Sequence, residues 1–221
     1  RIDYLTLNDG IDEAQWVVNQ IKKEKDLFPY HETGIFYRTN YQSRQIEDSL
    51  RQAAIPYRIY GSLKFYERLE IQDLVAYMRF LTNSADDVAL KRIINTPTRG
   101  IGLKTIGDIE MLAHRQNIPI YQALLNFITT QKNTAAGKKL YNFKLLIDIL
   151  RTNLSLLPIH EFYGFMLEQI SYKSYLEKKF PDQFQDKIAN IHELNVAIQQ
   201  YVENSEDKSL VNWLNTISLV D

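Results

Sequence analysis

Two short stretches of the chain carry side chains suited to gripping phosphate. The first is Phe36-Tyr37-Arg38-Thr39-Asn40-Tyr41-Gln42-Ser43-Arg44, with Glu47 one turn later. It puts an aromatic and an arginine at the expected C-terminal end of a buried strand, just ahead of a helix start, the edge where open α/β sheets bind ligands. An arginine there can donate several hydrogen bonds to a phosphate, and a tyrosine beside it can stack on a flat base. The alternative is an Arg38 paired with a surface carboxylate and a Tyr37 in the core. The second stretch is Ile93-Ile94-Asn95-Thr96-Pro97-Thr98-Arg99-Gly100-Ile101-Gly102, running into Leu103, Lys104 and Thr105. Its glycines allow a tight turn between two helices, its backbone amides lie at the next helix's N-terminus, and Arg99 and Lys104 add charge, the makings of a phosphate-binding helix-hairpin-helix. An ordinary helical hairpin, with glycines for steric reasons, is the alternative. Between the two, Pro56-Tyr57-Arg58-Ile59-Tyr60-Gly61 and the mixed charges from Phe65 to Asp73 suit solubility and capping.

Other chemistries find no support. A phosphate-binding P-loop needs G-x-x-x-x-G-K-[ST]. At Gly137-Lys138, Lys132 stands where the first glycine belongs and Lys139 where Ser or Thr belongs. Asp12-Glu13-Ala14-Gln15 resembles a magnesium-binding acidic box, but it follows Asn8-Asp9-Gly10 and opens a helix instead of ending a buried strand. The histidines at 31, 114, 160 and 192 have no metal-ligand spacing and read as structural, so no metal site is expected. With no cysteine there is no disulfide framework, which suits a reducing cytoplasm.

The elements that would position these residues fall into two classes. Residues 4–7, 34–39 and 57–60 are compact apolar runs with the look of strands. Asp9 or Asp12 caps a helix through Trp16 and Ile21, and Thr39 with Gln42 has capping-box spacing ahead of a helix carrying Ile46, Leu50 and Ala53. Strands alternating with helices predict a parallel sheet, and three strands make it a partial one. From Leu69 onward only helices are predicted: a stripe of Ile71, Leu74, Val75, Met78 and Leu81, a shorter one over 88–94, then 104–116, 119–128, 138–154, 158–170, 182–202 and 209–219. The fold class expected is thus α/β followed by an all-α portion, with a boundary in the polar segment near residue 131 that separates domains 1–131 and 132–221.

The 221 residues carry a formal net charge of −1, 45% hydrophobic and 24% charged, ordinary values for a globular chain. Residues 35–104 hold eleven Lys/Arg against seven Asp/Glu, whereas 155–221 hold five against ten. Phosphate contacts need local positive charge, so the first stretch is the better nucleic-acid surface. No apolar run approaches the ~20 residues of a membrane span, so no membrane partner is expected. Arg1-Ile2-Asp3-Tyr4 lacks an initiator Met and reads as a cut inside a longer protein.

In order and wording, the three blocks from Tyr4 to Leu112 resemble motif IV and the following blocks of UvrD/Rep/PcrA-type superfamily-one DNA helicases. The resemblance implies an internal fragment: part of the RecA-like second motor domain (2A), then part of the helical domain inserted into it (2B). It further implies an ATP-dependent 3′–5′ DNA helicase as the parent, with ATP and Mg²⁺ as its cofactors. DNA, single-stranded and at a duplex junction, and the first motor domain of the same polypeptide are its implied partners. Arg38 corresponds to the arginine that reaches the γ-phosphate and Tyr37 to the residue that stacks on adenine. Asn95, Arg99, Gly100, Gly102, Lys104 and Thr105 correspond to a block near the DNA path. Asp186-Lys187-Ile188-Ala189-Asn190-Ile191 aligns with a helix start that contacts duplex DNA, with Lys187 as its contact and Asp186 as an N-cap. Ser62 stands where the family commonly has glycine. With no P-loop, the fragment alone is expected to bind neither ATP nor Mg²⁺ and to be inactive. A free-standing helix-hairpin-helix DNA-binding module and a protein-interaction domain remain the alternative readings.

Overall fold

The computed structural model describes residue 2 and residues 4–218. Eleven α-helices lie among the described residues: α1 (Gly10–Glu24), α2 (Ser43–Gln52), α3 (Leu69–Thr82), α4 (Asp87–Ile93), α5 (Leu103–Gln116), α6 (Ile120–Thr130), α7 (Ala135–Leu154), α8 (Ile159–Gln169), α9 (Tyr172–Lys179), α10 (Phe184–Asn204) and α11 (Leu210–Ser218).

The expected α/β class is overturned. Among the described residues there is no β-strand, and hence no partial RecA-like parallel sheet. The three apolar runs are indeed non-helical, but a strand exists only where a second backbone pairs with it. The amides of Arg38 and Thr39 donate instead to Gln42 Oε1, at 3.1 and 3.0 Å. Tyr4, Phe36 and Tyr60 are 93%, 96% and 87% exposed, so these runs bury little of the surface that suggested a sheet.

The chain divides into two compact units, Arg1–Ile71 and Gln72–Asp221, with the division in the first turn of α3. In the first unit, Asp9 caps α1 by accepting from the Ile11 and Asp12 amides at 2.8 and 2.9 Å. Helices α1 and α2 then close on a small core of Val18, Leu50 and Ile55, flanked by Ile21, Ile35, Ile46, Ala53 and Tyr57.

Helices are the regular elements of the second unit among its described residues, joined by short turns. Helix α3 is buried at Leu74, Tyr77, Met78, Phe80 and Leu81. Asp73, also buried, receives Arg92 Nε at 2.7 Å and the Tyr172 hydroxyl at 2.7 Å, tying α4 and α9 to α3. Helix α5 ends at Asn117, whose left-handed backbone (φ 52) returns amides to the helix end and turns the chain into α6. Leu140, Phe143, Ile147 and Leu150 form the inner face of α7, and Phe162, Tyr163 and Met166 that of α8. The polar segment at residues 131–137 is a tight capped turn. Thr134 accepts from the Gly137 amide at 3.0 Å, and a Cβ on Gly137 would lie 2.0 Å from the Gln131 carbonyl oxygen. Helix α11 covers most of the helix predicted over 209–219, of which Leu219 lies outside the described residues.

Candidate nucleic-acid interface

The turn between α4 and α5 is built by a side chain inside it. Asn95 Oδ1 accepts from the Arg99 amide at 2.8 Å and the Ile101 amide at 3.4 Å, while its Nδ2 donates to the Ile101 carbonyl at 3.2 Å. The Thr96–Pro97 peptide is cis, and Gly100 sits at φ +67, where a side chain would be strained. Gly102 is different: it is extended (φ −71), and a Cβ there meets nothing within 4 Å. Its role is at the N-cap of α5. No side chain caps that helix start, where Gly102, Leu103 and Lys104 are exposed and Thr105 is half-buried. Uncapped first-turn amides are electropositive and available to an anion.

Arg99 faces the other way. Its Nη1 donates to the carbonyls of Ile93, Ile94 and Pro97 at 2.8, 3.3 and 3.2 Å, and its Nη2 to the Tyr77 hydroxyl. The guanidinium also lies 5.3 Å from the Phe143 ring centre. Tyr77 in turn donates to the Thr96 carbonyl at 2.6 Å, and burial pushes its hydroxyl up to about 12 although Arg99 pulls the other way. Arg99 is thus a cap for the C-terminus of α4, where carbonyls are otherwise orphaned. Asn95 likewise shapes the turn from within.

In the first unit, Thr39 and Gln42 form the capping box their spacing predicts. Arg38 is exposed and its guanidinium has no partner among the described residues, while Tyr37 is half-buried. Behind them lies a buried polar cluster. Glu47, 5% exposed, accepts from Ser43 Oγ at 2.6 Å, the Tyr57 hydroxyl at 3.3 Å and the Phe65 amide at 3.2 Å. Arg68, 6% exposed, donates to Ser43 Oγ at 2.8 Å and the Asn40 carbonyl at 2.9 Å. Burial raises the Glu47 carboxyl above its usual range, opposed by Ser43, the Phe65 amide and Arg68. Of the mixed charges over residues 65–73, Arg68, Glu70 and Asp73 are buried and Glu67 is exposed, so the segment is solvated only in part.

The whole chain, residues 1–221, matches the model of the UvrD-like helicase C-terminal domain. The chain belongs to this family. It is 35% identical over 225 residues to the ATP-dependent DNA helicase PcrA of Staphylococcus aureus strain Mu50, covering 100% of this chain and 30% of that protein. It is 36% identical over 212 residues to DNA helicase II of Escherichia coli strain K12, covering 94% of this chain and 29% of that protein. PcrA of Staphylococcus epidermidis strain RP62A is 35% identical over 225 residues, 100% of this chain and 31% of its own length. The chain therefore spans less than a third of the curated relatives it matches.

Within this UvrD-like chain, the expected site residues separate into groups. Tyr37 and Arg38 belong to the first unit; Asn95, Arg99, Gly100, Gly102, Lys104 and Thr105 are gathered on one hairpin of the second. Lys187 is on α10, half-buried, with its ammonium 4.7 Å from the Phe180 ring centre. Asp186 is in the first turn of α10, whose N-cap is Gln183 and not Asp186. Among the described residues, no group of three His, Asp or Glu side chains is placed to hold a metal, and no helix is long and apolar enough to cross a membrane. Sequence reading missed Arg68 and Lys139. Lys139 donates to the Gly100 carbonyl at 2.7 Å from 39 residues away, a separation that leaves no local signal.

Proposed function

We propose that this chain contributes part of the second motor domain (residues 1–131) and part of the inserted domain (132–221) of an ATP-dependent 3′–5′ DNA helicase working in the cytoplasm. The observation that carries the reading is the α4–α5 hairpin of a UvrD-like chain: a glycine turn with exposed, uncapped amides at the start of α5 and Lys104 beside them. Such a surface recognises the DNA phosphate backbone, in single strands and at a duplex junction, without reading bases. Gly100, Gly102, Lys104 and Thr105 are the contacting positions, with Asn95 and Arg99 holding the turn from behind. Lys187 adds a contact from α10.

Arg38 fits a nucleotide role, since its exposed guanidinium has no partner among the described residues and its own amide is fixed by Gln42. Bound ATP supplies the phosphoryl group whose transfer drives the motor. Arg38 donates to its phosphate oxygens and Tyr37 packs on its base, across the cleft to the first motor domain of the same polypeptide. The remaining phosphate and Mg²⁺ ligands are assigned to that other domain, so the isolated chain does not turn over ATP.

Fluorescence anisotropy of a labelled tailed duplex tests the DNA half. Binding by the chain should weaken linearly in log affinity against log salt, alike for unrelated sequences. Affinity that depends on sequence, or ignores salt, overturns the hairpin reading.

A further inference from the structure

Lys139 lies on the first turns of α7 and its side chain crosses to the hairpin, where Nζ donates to the Gly100 carbonyl at 2.7 Å. A Cβ at residue 100 would be 2.9 Å from Nζ and 3.5 Å from Cε, so a side chain there would push the end of the lysine aside. Both Gly100 and Lys139 are exposed, and Lys139 has no carboxylate partner among the described residues. An ammonium has three donors and no acceptor. The Gly100 carbonyl takes one, and the others are open to solvent on the rim of the turn.

We propose that Lys139 is a DNA-phosphate contact of the α4–α5 hairpin, delivered from α7 and aimed by the Gly100 carbonyl. The inference rests on the hairpin reading above and extends it to a residue outside the motif. Gly100 thereby has two roles: it adopts a backbone that favours glycine, and it leaves room for a lysine from another helix. Because the ammonium already donates to the Gly100 carbonyl, phosphate meets a cation placed at the turn before binding, lowering the entropy lost on contact. Arg99 is turned inward, so Lys104 and Lys139 are the cations flanking the exposed turn, one on α5 and one on α7.

The test compares Lys139→Gln, Lys139→Arg and Lys104→Met in the full chain, using anisotropy of a fluorescein-labelled tailed DNA duplex over a salt series. Thermal unfolding of each variant verifies the fold. Gln keeps a donor for the Gly100 carbonyl but removes the charge. The expected result is a several-fold loss of affinity for Lys139→Gln at low salt, with the slope of log affinity against log salt shallower by about 1. Lys139→Arg should restore the slope. If Lys104→Met lowers the slope and Lys139→Gln leaves it unchanged, Lys139 is no contact and the hairpin reading stands. If neither changes it, or the chain binds no DNA, the hairpin reading falls and this proposal with it. Should Lys139→Gln unfold, Lys139→Met gives the same charge comparison.

Discussion

Arg99 places its guanidinium carbon 5.3 Å from the centre of the Phe143 ring while its Nη1 reaches the Ile93 carbonyl at 2.8 Å. One side chain therefore links the C-terminus of α4 to the inner face of α7. Hydrogen bonds from a charged donor contribute about 1.5–3 kcal/mol to stability. Arg99→Ala should lower the unfolding midpoint of the chain by roughly 3–12 °C, given about 2–4 °C per kcal/mol at this size. Lys should recover little, because an ammonium has no planar fork to span several carbonyls. The salt slope for DNA should not change. A variant with full stability and a slope reduced by about 1 would make Arg99 a phosphate contact instead.

The two turn glycines should respond differently. At Gly100 an alanine meets both the left-handed backbone and Lys139 Nζ. At Gly102 the backbone is extended and the space is open. Gly100→Ala is expected to destabilise the chain by about 1 kcal/mol and weaken DNA binding. Gly102→Ala should leave stability within about 0.5 kcal/mol of wild type. Denaturant unfolding of both decides it, and equal losses would mean that Gly102 is constrained in a way its geometry does not record.

Glu47 gives a pH signature. Its carboxyl is raised above 4.5, chiefly by burial, so the folded state favours the protonated form. Its contribution to stability is fully present below the unfolded value, near 4.5, and is lost as pH rises through the higher folded value. Glu47→Gln mimics the protonated form. The midpoint difference, Gln minus wild type, should grow more positive as pH climbs from about 4 upward and then level off. A difference that falls over that window would show that Arg68 and the Phe65 amide outweigh burial.

The nucleotide role proposed for Arg38 is tested in the full-length helicase that the proposed function requires. Arg38→Ala should leave folding and DNA affinity near wild type, since the side chain is exposed. ATP turnover should fall by on the order of 10³ or more, the contribution of arginine fingers in other phosphoryl-transfer enzymes. Arg38→Lys should rescue little. Equal turnover of wild type and Arg38→Ala at saturating DNA would remove the nucleotide role.

The helical half of the fold was legible because its periodicity is local. The helix predicted over 104–116 spans Leu103–Gln116, and the one predicted over 138–154 starts a turn earlier, at Ala135. Helix α9 (Tyr172–Lys179) escaped notice, since its eight residues bury few side chains, Tyr172 and Leu176 among them. The sheet is not legible because an apolar run records only composition, whereas burial and pairing are relations between segments that no single run contains. The same limit applied at the hairpin. Asn95 and Gly100 were legible as turn residues, but motif arithmetic treats every arginine as outward charge, and Arg99 turned inward to carbonyls freed by the end of α4. Arg68 was hidden for a like reason, its partners Asn40 and Ser43 lying 28 and 25 residues away.

The bond from Lys139 to Gly100 also marks one end of an excursion whose other end can accept foreign material. It closes a 39-residue excursion of α5 and α6 at its base, while the Ile120 amide, donating to Asp87 Oδ1 at 2.8 Å, ties the start of α6 back to α4. The opposite end of that excursion is the exposed bend at Gln116 and Asn117. With 14 residues at about 1.5 Å each, α5 carries the bend about 21 Å from the glycine turn. Lengthening a surface loop adds little closure entropy, about 0.6 kcal/mol per doubling. A reporter spliced in at Asn117 would therefore ride on the hairpin at the end remote from its phosphate-facing rim.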